Sequence, residues 1–364
     1  MPAVLPPAII VVTGASGFVG AWICKAFLEA GYTVRGTVRS KAKGDYLQQL
    51  FKSHGTKFIP VIVEDISKVL RITILSGSTM TDLLQLDAFD KVVDHEVHAV
   101  IHVAGVIHDS PSETSEVFGP NTDSVTGLTN SILKNGKNVK RLIYMSSAQA
   151  LLGGKPLSHI YTEDDWNDEA VATVQEDGHE ADPLAMYAAS KVHAERALIA
   201  FANEHEDISW DITRILPAFC KSFEDLNTTT KIFVQYLTTP QDDDVLRNYC
   251  SEFTDVRDVA DAFVAALQIE EAGGERFIID AGAFTYQNLY DAFHSLAPNE
   301  KAVPFGDPAK GKFKFRGPFC NSSKAQRLLK LKSFRGLAEC AYDTFQSLKE
   351  RKLLPQEANI QSRL

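Results

Sequence analysis

Tyr187 and Lys191 stand four residues apart in the run Tyr187-Ala-Ala-Ser-Lys191, inside an Ala-rich stretch, 188–200, that predicts helix. On a helix, positions i and i+4 share a face, so a phenol and an ammonium project side by side. A nearby cation favours the phenolate and draws the phenol down from its ordinary pKa of about 10. A tyrosine so placed can give or take a proton near neutral pH. Taken alone, such a pair is surface decoration more often than chemistry. Its weight depends on what else the chain carries.

The second chemical stretch lies at 8–20. Ala8-Ile-Ile-Val-Val12 is a continuous apolar run, the pattern of a parallel strand buried on both faces. Thr13-Gly-Ala-Ser-Gly-Phe-Val-Gly20 follows at once and opens a helix over 21–30, which Gly31 ends before a second strand at 32–38. Glycines between strand and helix let the backbone approach a pyrophosphate, which rests on the exposed N–H groups of the helix start. Gly14, Ser16, Gly17, Phe18, Val19 and Gly20 are therefore expected to hold a dinucleotide. After the second strand, an NAD site places an acid for the ribose 2′-hydroxyl. No Asp or Glu lies between Glu29 and Asp45, and Arg39, Lys41 and Lys43 stand there instead. A cationic cluster suits a 2′-phosphate, so NADPH/NADP is the expected cofactor, with Arg39 and Lys43 beside that phosphate.

Further strands are expected at 58–63, 97–103, 141–145, 210–216 and 276–280, with helices over 121–133 and around Tyr187. This alternation predicts an α/β fold, a doubly wound parallel sheet (Rossmann fold), whose ligands bind at the carboxyl ends of the strands. Those ends carry Asp65 and Ile66, placed for the adenine; Ala104, small enough for a cofactor to lie close; Ser146-Ser147; and Pro217. From about 221 the pattern loosens, with loop-like Asn227–Thr230 and an acidic turn at Pro240–Asp244. Helices near 286–296, 322–329 and 337–349 predict a smaller C-terminal α+β lobe over the substrate. The expected division is a dinucleotide-binding domain over 1–220, to which 251–282 returns, and a substrate-covering lobe from 221–250 and 283–364.

Composition narrows the partners. The 364 residues are 45% hydrophobic and 23% charged, and 37 basic against 47 acidic side chains leave a net −10. Without a long basic run, nucleic acid and anionic membrane are not expected partners, and a small molecule is. No apolar run approaches a membrane span, and 8–12 reads as strand, not leader. Five scattered cysteines without a Cys-x-x-Cys fit buried thiols in a reducing, cytoplasmic setting. Ser362-Arg363-Leu364 offers a peroxisomal alternative, as a conservative variant of the Ser-Lys-Leu address. His95, His98, His102 and His108 are dense, yet they straddle a strand and its loops with no second cluster of ligands, so no metal is expected.

Together these stretches resemble the extended short-chain dehydrogenases/reductases, and within them the dihydroflavonol-reductase-like group of NADPH-dependent aldehyde, ketone and methylglyoxal reductases. The resemblance covers nearly the whole chain, through Thr13–Gly20, Arg39, His102-Val-Ala104, Ser146-Ser147-Ala148, Thr162–Trp166, Tyr187–Lys191, Asp255–Ala262, Asn321–Lys324 and Phe334–Leu337. It implies a catalytic triad of Ser147, Tyr187 and Lys191, the serine being the one directly before the small Ala148. It implies hydride passing from NADPH to a substrate carbonyl, with Ser147 and Tyr187 donating to the negative charge that develops there. Tyr187 would give its proton, while Lys191 lowers the tyrosine pKa and holds the nicotinamide ribose. The implied partner is a small aldehyde, ketone or flavanonol-like carbonyl compound, and the implied state a monomer or homodimer.

The chain departs from the family in two places. Gly105-Val106-Ile107 stands where Ser-Pro-Phe often follows the fourth strand, and Phe219-Cys-Lys-Ser222 where a Val-x-Gly-Pro turn is common. Ile107, Leu151, Leu152 and Leu184 are expected to line a rather apolar pocket. Nucleotide-sugar epimerases and dehydratases share the fold and the Tyr/Lys pair. Dehydratases want Asp-Glu after the strand-five hydroxyl, where Ala148-Gln149 follows here, and epimerases usually retain NAD. A non-catalytic dinucleotide sensor on this fold would typically lose the Tyr/Lys pair.

One segment looks foreign. Asp65-Ile-Ser-Lys68 and Leu86-Asp-Ala-Phe-Asp90 would join well without the 17 residues Val69–Gln85 between them. Those residues correspond to a whole number of codons, and valine and glutamine at the edges are compatible with a short intron read through in frame. As protein, the segment is expected to be an exposed excursion or improvised helix that adds nothing to the site.

Overall fold

In a computed structural model, which describes residues 3–64, 70–76, 79–85, 88–105, 114–156, 158–221, 228–248, 250–307 and 319–354, the first apolar run forms β1 (Ile9–Thr13). The glycine turn leads into α1 (Phe18–Glu29), followed by β2 (Thr33–Val38), α2 (Lys41–Leu50), β3 (Phe58–Ile62) and a hairpin of β4 (Leu70–Ser76) and β5 (Thr79–Gln85). Next come β6 (Val97–His102), α3 (Thr114–Asn135), β7 (Arg141–Met145), β8 (Ile160–Tyr161), α4 (Asp168–Asp177), α5 (Pro183–Glu204) and β9 (Asp211–Pro217). The chain continues through β10 (Cys220–Lys221), α6 (Thr228–Thr238), α7 (Asp243–Asn248), β11 (Cys250–Asp255), α8 (Val256–Gln268) and β12 (Arg276–Ile279). β13 (Gly282–Thr285), α9 (Tyr286–Leu296), β14 (Phe319–Cys320), α10 (Ser323–Leu328) and α11 (Leu337–Glu350) complete it.

Seven strands form one parallel sheet in the order β12-β9-β7-β6-β1-β2-β3. Ile23 and Phe27 of α1 and Val259 and Phe263 of α8 share a core on one face, while Val125 and Leu128 of α3 and Ala194 and Leu198 of α5 pack on the other. Strands covered on both faces can afford no polar alternation, which is why they read as unbroken apolar runs. β1 and β6 are neighbours, yet α1 and α3 leave them for opposite faces. This change of side marks the switch point of the sheet, where ligands of such folds bind.

α5 starts at Pro183, earlier than its Ala-rich core suggests. Proline suits the first helical position, and the Asp182 side chain caps the helix by accepting from Leu184 N (2.8 Å) and Ala185 N (3.3 Å). α6 and α7 take up 228–230 and 243–244, where loops were expected, while 240–242 stay outside helix and residue 227 lies outside the described residues. The reason at α7 is a cap, because Asp242 Oδ1 accepts from Val245 N at 3.0 Å. Phe233, Leu237 and Leu246 then bury against Leu289, Tyr290 and Phe293 of α9 and Phe345 of α11, forming a core of their own. β11, expected to return with the main sheet, instead pairs with β10 and β13 in a three-stranded sheet, while α8 packs on the main sheet and β12 joins it. Asp65, Ile66, Ile107 and residues 362–364 lie outside the described residues.

The foreign-looking segment is not a helix. β4 and β5 pair antiparallel from Leu70↔Gln85 to Ser76↔Thr79 as a sheet of their own. Ile72, Thr73, Ile74, Thr79 and Thr81 are β-branched, which favours strand over helix. Deleting 69–85, so that Lys68 meets Leu86, is expected to leave thermal unfolding cooperative and Tm within about 3 °C, a change of less than about 1 kcal/mol. Loss of the folded state on calorimetry would show the hairpin to be structural.

β11, the end of β12 and β14 meet at a buried acidic cluster. Glu252 on β11 accepts from Cys320 N (2.8 Å) and Cys320 Sγ (3.4 Å), and Asp280 Oδ1 accepts from Gly282 N at 3.0 Å. Burial, and then the Glu252 charge, push Asp280 up to about 8. An unfolded aspartate loses its proton near about 4, so between these values the native state binds more protons and stability falls as pH rises. Asp280→Asn is expected to remove that loss, so its Tm should gain on wild type between pH 5 and pH 8. A constant Tm difference across that range contradicts the assignment.

Candidate active site

The glycine turn is built for close approach. Gly14 has φ +67°, and a Cβ there would lie 2.9 Å from Ala104 Cα, so this turn takes glycine on both counts. A Cβ on Gly20 would lie 2.2 Å from Gly14 O. Gly14 N donates to Thr37 Oγ1 (3.0 Å) and Gly17 N to Gly14 O (2.9 Å), which fixes the turn. Gly17 caps α1 without a side-chain acceptor, and the first turn holds no acid. The N–H groups of Phe18, Val19 and Gly20 thus point out of the helix start with positive potential, flanked by half-buried Ser16. Such a cradle fits a pyrophosphate.

At the carboxyl end of β2, Arg39 is exposed and has no carboxylate partner among the described residues. Ser40 Oγ accepts from Lys43 N (3.4 Å) to cap α2, which sets the exposed Lys43 beside Arg39 in the chain. Lys41 is engaged elsewhere, paired with Asp45 at 2.7 Å. A phosphate on the adenine-side ribose would meet Arg39 and Lys43 here.

β7 and α5 bring the remaining groups together. Ser147 Oγ accepts from Gln149 N (3.2 Å), capping the short turn Ala148–Ala150, which uses a lone pair and leaves its O–H to donate. Ser146 turns the other way and donates to Glu195 Oε1 at 2.5 Å. Tyr187 is half-buried; Lys191 is buried, and its Nζ donates to Met145 O at 3.1 Å. That ammonium lies 5.3 Å from the Tyr144 ring centroid and 5.9 Å from the Tyr187 ring centroid. Burial pushes Lys191 down to about 8, against an upward pull from Glu195. A Cβ on Gly105 would lie 3.3 Å from Asn121 Oδ1 and 3.6 Å from Lys191 Nζ, so the ends of β6 and β7 converge with α3 and α5. Asn121 Nδ2 donates to Ser190 Oγ at 3.2 Å.

The pocket expectation needs correction. Leu151 is fully enclosed with Ala150, Tyr161 and Met186, because the short turn after Ser147 rolls it inward, so it belongs to the core beneath the site. Leu152 is half-buried, and Leu184 lies 57% exposed in the first turn of α5. Pro217 closes β9, after which Ala218 N donates to Ile279 O at 2.9 Å. Among the histidines, His98 Nδ1 accepts from Ile9 N (3.4 Å), while His102 bonds Thr13 (2.8 Å) and Ser124 (3.1 Å); His108 lies outside the described residues. Among the described residues, ligand-type atoms gather within 4.8 Å at Glu252, Asp280 and Cys320. The sequence reading missed Asn121, Glu195 and Arg276. Glu195 carried one faint signal, its position four residues beyond Lys191.

The model of the NAD dependent epimerase/dehydratase family matches residues 10–282. The NADPH-dependent methylglyoxal reductase GRE2 of Saccharomyces cerevisiae is 29% identical over 92% of this chain and 96% of its own. The ketoreductase azaE of Aspergillus niger is 27% identical over 94% of this chain and 98% of its own. The crystal structure of Gre2 in complex with NADPH from Candida albicans superposes with a TM-score of 0.80 at 27% identity, covering 94% of this chain and 99% of that one. This chain belongs to the NAD dependent epimerase/dehydratase family.

Proposed function

We propose that the protein is an NADPH-dependent reductase of small aldehydes or ketones. The observation that carries this reading is the placing of a buried Lys191 ammonium beside Tyr187, with the Ser147 hydroxyl at the neighbouring strand end. The glycine turn would hold the pyrophosphate and Arg39 with Lys43 the 2′-phosphate. Bound there, NADPH supplies the hydride. The rest is done by side chains: Ser147 and Tyr187 donate to the carbonyl oxygen as charge grows on it. Tyr187 then gives up its proton, and the Lys191 charge favours the phenolate left behind. Lys191 is itself pushed down to about 8, so its own proton is available to the phenolate near neutral pH. The NADPH-dependent relatives and the absence of an acid at the end of β2 support NADP(H) over NAD(H).

Two substitutions test the reading by loss of NADPH absorbance with a panel of small carbonyls. Tyr187→Phe removes the proton donor alone, so kcat should fall at least about a hundredfold while NADPH still binds. Turnover above a few per cent of wild type would remove Tyr187 from the mechanism. Arg39→Ala should raise KM for NADPH about tenfold, the worth of one charge-assisted hydrogen bond, and leave NADH nearly unchanged. Equal losses with both cofactors would make Arg39 structural.

A further inference from the structure

Lys191 is followed one helical turn later by a carboxylate with no exposure at all. Glu195 is 0% exposed on α5, on the face it shares with Tyr187 and Lys191 at spacings of four. Its Oε1 accepts from Ser146 Oγ (2.5 Å) and from Arg276 Nη2 (3.1 Å), and its Oε2 from Arg276 Nε (2.9 Å). Arg276, the first residue of β12, also donates from Nη1 to Glu163 O (2.6 Å) and Asp165 O (3.0 Å), and its guanidinium lies 4.1 Å from the Trp166 ring centroid. One carboxylate thus joins the Tyr/Lys helix to the end of β7, to β12 and to the 163–166 turn.

We infer that Glu195 is a positioning residue of the active site, fixing through Ser146 the strand end that carries Ser147 and stabilising with its charge the Lys191 ammonium. The kinetic part of this inference rests on the reductase reading; the charge part does not.

Among the described residues, the groups that face Lys191 are few. From α5 come Tyr187 and Glu195, from β7 Tyr144, from β6 His102, and from α3 the uncharged Asn121 across Gly105. His102 is buried and pushed down to about 3, so it is neutral at working pH. Tyr144 is raised by burial and stays a phenol. The carboxylate acting on Lys191 is Glu195, and it also offsets Arg276 and acts on Arg214, the register partner of Arg276. Remove its charge and Lys191 keeps its burial but loses its counter-charge, while Arg276 loses its carboxylate partner. Both changes disfavour the ammonium.

Glu195→Gln keeps the shape and removes the charge. In the free protein, NMR titration of 13C-labelled lysines should show the Lys191 midpoint lowered by about one unit. In carbonyl reduction, kcat should fall about tenfold and the alkaline limb of its pH profile should move down with the same sign, because less Lys191 is protonated at any given pH. Ser146→Ala keeps the ion pair and cuts only the tie to β7. It should lower kcat about fivefold and leave the Lys191 midpoint where it is. A folded Glu195→Gln protein with wild-type Lys191 titration and wild-type kcat overturns the inference. If circular dichroism shows that Glu195→Gln does not fold, Ser146→Ala decides: reduced kcat sustains the positioning role, wild-type kcat overturns it. Should the wild-type protein reduce no carbonyl, the reductase reading fails on its own. The lysine titration of Glu195→Gln then still tests the charge.

Discussion

The parting of β1 from β6 is the constraint on which the site depends, and a single hydroxyl holds it. Where the two strands separate, Val103 N and Ala104 N lose their ladder partners, and Thr13 Oγ1 accepts from both at 3.1 Å. Two accepted bonds use both lone pairs, so the Thr13 proton goes to its remaining neighbour, His102 Nδ1, at 2.8 Å. His102 must then carry its proton on Nε2, facing Ser124 Oγ at 3.1 Å. This works only for a neutral ring, and burial, with the Lys191 charge nearby, keeps it so. A protonated His102 would set donor against donor at Thr13 and compete with the two amides it accepts from. Gly14 packs against that same Ala104, so imidazole neutrality, strand separation and the phosphate cradle form one connected condition.

Charge on α5 is arranged by the same logic of burial. An ammonium taken out of water prefers to shed its proton, and Lys191 is buried against one carbonyl and the faces of two phenols. A lone buried lysine would be neutral and useless as a cation. A fully exposed one would hold its proton too firmly to share. Glu195 pulls against burial, and the balance sits within reach of neutral pH. Lys191 can therefore carry its charge near neutral pH, because neither effect wins outright.

How legible this was follows from where the information lies. The dinucleotide half could be read because a parallel strand covered on both faces must be an apolar run, and because the turn at Gly14 and Gly20 admits no other residue. α6 and α7 escaped notice because their starts are Thr-rich and Asp-rich, a composition shared by loops and helix caps alike; Asp242 proved to be a cap. Leu151 misled because the short helical turn after Ser147 ends the two-residue alternation of the strand, so the side it faces cannot be counted along the chain. Glu195 and Arg276 were invisible in a different way. Each looks like an ordinary charge on an ordinary element, and their bond joins residues 81 apart in sequence. Local pattern carries no trace of such a pairing.

A buried ion pair is weak evidence for stability, because desolvating both partners consumes most of what their attraction returns. An apolar pair of the same volume would hold α5 to the sheet about as well. What apolar packing does not supply is direction. The guanidinium of Arg276 is a rigid fork that accepts one orientation of Glu195, and the remaining capacity of that carboxylate is aimed at Ser146. The opposite end of β7 shows the same device. Arg141, its first residue, binds Asp211 of β9 through Nε (2.6 Å) and Nη2 (2.9 Å), and donates to Ile269 O and Glu270 O beyond α8. β7 is therefore tied at its start by the Arg141–Asp211 pair, and just beyond its end through the Ser146 hydroxyl to the Glu195–Arg276 pair. These bonds give direction to the start of β7 and to the Ser146-Ser147 pair just beyond its end, which apolar contacts alone would leave free to vary.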